Sequence, residues 1–148
     1  MPASRILRTI LGVPSIALSQ AYGPSGGKGA VKWHCAEHHG PRIVRKILDA
    51  GIDKGILVNV NFPNCEPEEV EGAAVVNQGQ RRQELLGLDR REDGRGNPYF
   101  WIAFSRKPFT PGNGTDLWAI ANRRIAITPL RLDMTDEPTL TRYALAFG

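Results

Sequence analysis

The chain has 148 residues, a size for one domain or part of a larger one, and its 41% hydrophobic and 23% charged content excludes a wholly disordered polymer. Its net charge of +4 is a weak excess that tolerates a phosphate-bearing partner and does not demand nucleic acid. No apolar run approaches the roughly 20 residues that a bilayer-spanning helix needs, so no membrane partner is expected.

Near the start, Ile6, Leu7, Ile10 and Leu11 recur at helical spacing, and Gly12 closes that helix. Arg8 interrupts the apolar part and no small-residue cleavage site follows, which argues against a signal peptide and leaves the cytoplasm as the default location. Val13 to Leu18 predicts a short buried strand, with Pro14 near its start, where a missing N–H is tolerated. Helix, tight turn, strand is half of a βαβ unit without its first strand, and the expectation is a truncated unit.

Tyr22 to Ala30 is rich in glycine and ends in the sequence of Gly27, Lys28 and Gly29. A phosphate loop of the Walker type needs a longer interval before the Gly-Lys pair and a Ser or Thr after it, so a flexible loop is the reading. Only Lys28 is left there to meet a phosphate. Trp33 to Ala50 predicts a helix with Ile43, Val44, Ile47 and Leu48 as its apolar stripe and Gly51 as its stop. Pro41 predicts a kink or a fresh helix start near Gly40.

In the run LVNVNFP (57–63), Val58, Val60 and Phe62 alternate with Asn59 and Asn61, which predicts a strand over Ile56 to Phe62 stopped by Pro63. After the loop PNCEPEE, Val70 to Asn77 predicts another strand. The mixed charges of residues 79–97 read as a solvated face, with turns at Asp93-Gly94 and Gly96-Asn97. Pro98 to Phe104 is an aromatic strand, and with Gln83 to Leu88 it predicts a hairpin-like arm. Two strands alone are marginal, so such an arm is expected to pack on a partner subunit. Thr115 is placed to cap a helix over Asp116 to Asn122, and Arg123 to Leu130 ends in a strand. Thr135 is placed to cap a last helix, with Asp136 and Glu137 in its first turn and Leu140, Tyr143 and Ala144 on its apolar face.

The loudest cluster of reactive residues is His34, Cys35, Glu37, His38 and His39. A zinc-binding helix would want the HExxH spacing, which Glu37 does not satisfy, and no distant third ligand stands out, so solvent-exposed histidines at a helix end are expected. Cys35 and Cys65 read as free thiols of a reducing compartment, with a single disulfide as the minor alternative. No helix N-terminus is evident to activate Cys65. Asp116 and Asp133 read as helix-end or turn acids, and neither has an adjacent carboxylate. The Arg and aromatic residues between Arg81 and Arg106 are interleaved with acids, which argues against a nucleic-acid surface.

Several segments together resemble the C-terminal portion of the SurE family of 5'-nucleotidases, or survival proteins. They are LGVPSIALS (11–19), Trp33 with Ala36-Glu37, LVNVNFP (57–63), Arg81-Arg82, Gly96 to Tyr99 with Trp101-Ile102, Gly114 to Asp116, Ile127 to Leu130 and Leu132 to Thr135. The resemblance implies an α/β, partial Rossmann-like fold with a β-rich C-terminal extension and a projecting hairpin arm. It divides the chain into residues 1–78, the C-terminal part of an α/β core; 79–113, an extended β arm for oligomerisation; and 114–148, a short helix, a strand and a C-terminal helix.

By the same resemblance, the complete family protein hydrolyses phosphate monoesters of nucleoside monophosphates with a divalent metal, Mg or Mn, and forms dimers or tetramers. Its metal site uses an Asp-Asp pair, a Ser and an Asn that have no match here, while Asn59 and Asn61 match a motif that supports the core and site floor. No catalytic, cofactor-binding or metal residue is therefore assigned, and no metal is expected to bind specifically. The chain is expected to be inactive alone, because phosphoryl transfer depends on the metal's charge and positioning. The alternative is a non-enzymatic oligomerisation fragment, or the partner of a separately encoded N-terminal half.

Overall fold

A computed structural model describes residues 11–22, 31–80, 86–104 and 110–148. Ten elements follow one another: strand β1 (Ser15–Gln20), helix α1 (Trp33–Ala50), strand β2 (Ile56–Phe62), a 3-10 turn (Pro67–Glu69), strand β3 (Ala73–Val75), strands β4 (Leu86–Glu92) and β5 (Pro98–Phe104), helix α2 (Asp116–Ala121), strand β6 (Ile125–Arg131) and helix α3 (Glu137–Phe147). The fold is mixed α/β. The helix expected over Ile6 to Leu11, most of the glycine-rich loop and the Arg81-Arg82 pair lie outside the described residues.

Four strands form one sheet in the order β1-β2-β6-β3. β1 and β2 are parallel, with Ser15 opposite Leu57 and Gln20 opposite Phe62. β6 returns antiparallel on the other side of β2, with Asn59 opposite Thr128. β3 runs parallel to β6. Both edges of β2 are thus paired from within this chain. β6 lies beside Ile56–Phe62 on the side away from β1, and β1 and β3 are the outer strands of the sheet among the described residues.

Alternation along β2 sorts its side chains between two faces. Val58, Val60 and Phe62 join Cys35 and Ile43 of α1, Cys65 and Ile125 in one buried cluster. Phe62 reaches the helix at Gly40, where an added Cβ would meet the ring edge at 3.8 Å. Burying a side chain of this size contributes roughly 1.5–3 kcal/mol. The opposite face carries Asn59 and Asn61, both half-buried. There Val76, Ala119 of α2 and Ala126 of β6 form a second, smaller cluster.

Several boundaries differ from expectation for local reasons. α1 runs unbroken through Pro41, so no fresh start occurs at Gly40. β1 begins two residues later than Val13 and continues to Gln20, since its ladder with β2 starts beyond Pro14. Val70 closes the 3-10 turn and Gly72 takes a positive φ of 106°, which shortens β3 to three residues. β4 includes the charged run Asp89 to Glu92, because each of those residues pairs across to β5. The N-cap of α3 is Asp136, not Thr135: its carboxylate accepts the Thr139 amide at 3.0 Å, while the Thr135 amide goes to Asp133 at 2.9 Å.

Thr115 caps α2 as expected, accepting the Trp118 amide at 3.2 Å. Just beyond its C-cap Asn122, Arg123 has a φ of +51° and places the Arg124 amide 2.8 Å from the Ala119 carbonyl. A non-glycine residue in that region is strained by roughly 1–2 kcal/mol. No helix among the described residues is long and apolar enough to cross a membrane.

Candidate functional site

In an open α/β sheet, ligands favour the crevice outside the carboxyl ends of the parallel strands. Here that rim is built from the ends of β1 and β2 and the start of β6. Gln20, the last residue of β1, is buried. Its Nε2 donates to the Phe62 carbonyl at 3.2 Å, the Pro63 carbonyl at 2.8 Å and, more weakly, the Ala21 carbonyl at 3.3 Å. The Ala21 amide adds a bond to the Phe62 carbonyl at 2.9 Å. One carboxamide therefore fixes the exits of two parallel strands. Its Oε1 is buried and has no hydrogen-bond partner among the described residues.

Next along the rim, the Asn64 side chain accepts the Lys32 amide at 2.9 Å, and the Lys32 ammonium lies 3.0 Å from Glu66. That hydrogen bond to Glu66 raises the Lys32 pKa above its ordinary value. Arg123 pairs with Glu71 at 3.5 Å and with Glu69 at 4.0 Å. These pairs are half-exposed and screened by solvent, so their value is to place charge. An open recess of about 530 Å³ beside Arg123 is lined also by Glu71, Trp118 and Arg124. A second recess of about 430 Å³, between Asp53 and Asp133, lies at the opposite end of β2.

The residues singled out for chemistry are not gathered into one place. His34 pairs with Glu37 at 3.3 Å on the surface of α1. His39 meets the Pro67 carbonyl at 2.9 Å, tying α1 to the 3-10 turn. Asp116 Oδ1 accepts the Gly79 amide at 2.8 Å and the Leu117 amide at 2.7 Å, so it organises a turn and a helix start. Asp133 does the same for Thr135, whose hydrogen bond holds the carboxyl below its usual range. Among the described residues no group of three or more His, Cys, Asp or Glu side chains could hold a metal ion.

Cys35 and Cys65 do come together, from positions far apart in sequence. Both are buried in the main core cluster. Burial first, and then the neighbouring Cys65, push the Cys35 thiol up to about 12. Burial also raises Cys65. Neither is an activated nucleophile.

Sequence reasoning missed Gln20 and Asn64. A polar residue in the last position of a buried strand, opposite the end of its parallel neighbour, is the signal that points to Gln20 once the pairing is known. Asn59 and Asn61 lie on the face away from α1, level with Ala17 and Ser19 of β1. Thr128, opposite Asn59, is buried with its hydroxyl unpartnered among the described residues.

A family model described as survival protein SurE matches residues 5–85. A protein of Methylobacterium sp. (strain 4-46) named 5'-nucleotidase SurE is 70% identical over 140 residues, which cover 95% of this chain and 55% of that protein. One of the same name from Methylocella silvestris is 58% identical over 137 residues, 93% of this chain and 54% of that protein. The crystal structure of the SurE protein from Aquifex aeolicus has a TM-score of 0.75 and 31% identity, covering 99% of this chain and 56% of that one. The chain spans about half the length of the relatives it matches.

Proposed function

Because the chain belongs to the survival protein SurE family, we propose that it supplies the scaffold half of a nucleotidase that hydrolyses nucleoside monophosphates. The observation that carries the reading is the identity, across almost the whole chain, to proteins named 5'-nucleotidase SurE. The rim at the carboxyl ends of β1 and β2 supports it, since that is where such a sheet binds ligands.

On this reading the chain matches the C-terminal portion of the family architecture. Residues 1–78 complete the α/β core, 79–113 are the oligomerisation arm and 114–148 the closing helix, strand and helix. No residue here is assigned a catalytic, cofactor or metal role. A divalent metal, Mg or Mn, supplies charge stabilisation to the complete family site, and its ligands come from outside the residues described. This chain's own part is mechanical. Gln20 holds the two strand exits together, Asn64 fixes the entry to α1, and Asn59 and Asn61 form part of the sheet face below the site. The location is cytoplasmic.

The partner is a second copy, in a dimer or tetramer, or a complementary N-terminal portion. Exposed Leu88, Phe100 and Ile102 on the hairpin and Leu140 and Tyr143 on α3 support this. The same side chains favour the second reading, a non-enzymatic oligomerisation fragment. Release of inorganic phosphate from a nucleoside monophosphate, with manganese in excess, tests the division of labour. The chain alone is expected to stay at background. Turnover near that of a full-length family nucleotidase would overturn the proposal. Restoration of turnover by a separately expressed metal-binding portion would favour the scaffold reading over the fragment reading.

A further inference from the structure

We propose that the recess at the start of β6 reads the nucleotide: Trp118 forms the wall on which the base stacks, and Arg124 meets the phosphate. The proposal rests on the nucleotidase reading and names the residues of this chain that recognise the substrate. The recess holds about 530 Å³, within the roughly 300–1,000 Å³ of small-molecule sites. It opens on the same rim as the carboxyl ends of β1 and β2. β6 runs antiparallel to β2, and Ala126, its second residue, lies opposite Asn61, the last but one of β2.

The walls of the recess differ in chemistry. Trp118 packs against the cluster of Val76, Ala119 and Ala126, and its carbonyl accepts the Asn122 side chain at 2.8 Å. A core-backed indole is a fixed aromatic face, which suits a nucleobase because every base has a face to stack. The adjacent arginines differ in what they meet. Arg123 spends its charge on Glu71 and Glu69. Arg124 is half-buried and, among the described residues, makes no ion pair, so its planar fork of donors is free for phosphate oxygens. The φ of +51° at Arg123 turns the chain out of α2 so that both arginines line the recess, and surrounding contacts must hold that strained conformation. Among the described residues Glu71 meets Arg123 through Oε1 only, at 3.5 Å, which leaves Oε2 to accept a sugar hydroxyl. An aromatic face, an unspent guanidinium and a carboxylate acceptor together select a ligand with a flat ring, an anionic group and hydroxyl donors. A nucleoside monophosphate carries all three.

The test is isothermal titration calorimetry on the full 148-residue chain with adenosine 5'-monophosphate, with ribose 5-phosphate, which lacks the base, and with adenosine, which lacks the phosphate. The complete nucleotide is expected to bind about tenfold or more tighter than either part. Trp118→Leu is expected to weaken the nucleotide about tenfold and leave ribose 5-phosphate unchanged, while Trp118→Phe, which keeps an aromatic wall, retains most of the binding. Arg124→Gln is expected to weaken the nucleotide and ribose 5-phosphate about tenfold each and leave adenosine unchanged. Arg124→Gln carries the test by itself if Trp118→Leu loses its far-ultraviolet circular dichroism. No binding at millimolar nucleotide, or binding that the folded variants do not weaken, would overturn the proposal. The recess and the nucleotidase reading fail separately. Binding that follows the variants upholds the recess even where a metal-binding portion restores no turnover. Restored turnover with an unchanged KM in both variants overturns the recess and leaves the nucleotidase reading standing.

Discussion

Strand β2 of the sheet and strand β5 of the hairpin are both rich in apolar residues, yet their side chains meet opposite surroundings. In β2, Val60 and Phe62 are completely buried, because α1 covers one face and β1 and β6 pair both edges. In the hairpin, Leu88 is 72% exposed and Phe100 and Ile102 are each 63% exposed, and among the described residues no third strand joins β4 and β5. Its other face is equally open: Trp101 stands there with Arg91 5.9 Å above its ring. The first region satisfies its own apolar surface, while the second is left uncovered among the described residues.

Truncating the core strikes the self-sufficient side of this contrast hardest. Phe62→Ala is expected to cost about 3–5 kcal/mol of unfolding free energy, read from urea titration. A loss of under about 1 kcal/mol would mean that the sheet is no better packed than the hairpin. Gln20→Leu is the next step down. It removes the side-chain donor to the Phe62 and Pro63 carbonyls, each of which keeps one backbone amide, at about 0.5–1.5 kcal/mol. Thr115→Ala removes the cap of α2 for about 1 kcal/mol, which thermal melts should detect.

On the hairpin side, Phe100→Ser is expected to leave the monomer's stability within about 0.5 kcal/mol. It should weaken self-association by about tenfold or more in sedimentation velocity. Undiminished association would remove the hairpin from the interface. The smallest effect concerns the turn. Asp93 accepts hydrogen bonds from the Asn97 side chain and from the Asn97 and Arg95 amides, which lower its pKa. Its contribution is complete above the unfolded carboxyl value of about 3.9 and is lost as pH falls through the depressed folded value. Trp101 fluorescence should therefore change only in strong acid, and Asp93→Asn should flatten that response.

Local pattern made α1 and β2 legible to the residue: the apolar stripe of Ile43 and Ile47 before Gly51, and the alternation of Val58, Val60 and Phe62. Pairing was not legible. That β6 closes the second edge of β2 depends on a contact between segments more than sixty residues apart, which no periodicity announces. Asp89, Arg90, Arg91 and Glu92 read as a solvated run because their charge hides a strand whose side chains are exposed on both faces. The meeting of Cys35 with Cys65 belongs to the same class, as does the reach of Gln20 to Pro63. The cap of α3 passed from Thr135 to Asp136 because Asp133 already holds the Thr135 amide.

The contrast between the sheet and the hairpin is tested most directly by amide hydrogen exchange as a function of protein concentration. Amides of β2 should be slow at every concentration, while those of β4 and β5 should be fast in the dilute chain and become protected as it associates. Strong protection of β4 and β5 in the dilute monomer, or fast exchange of β2, would contradict the separation of a self-sufficient core from an arm that needs a partner.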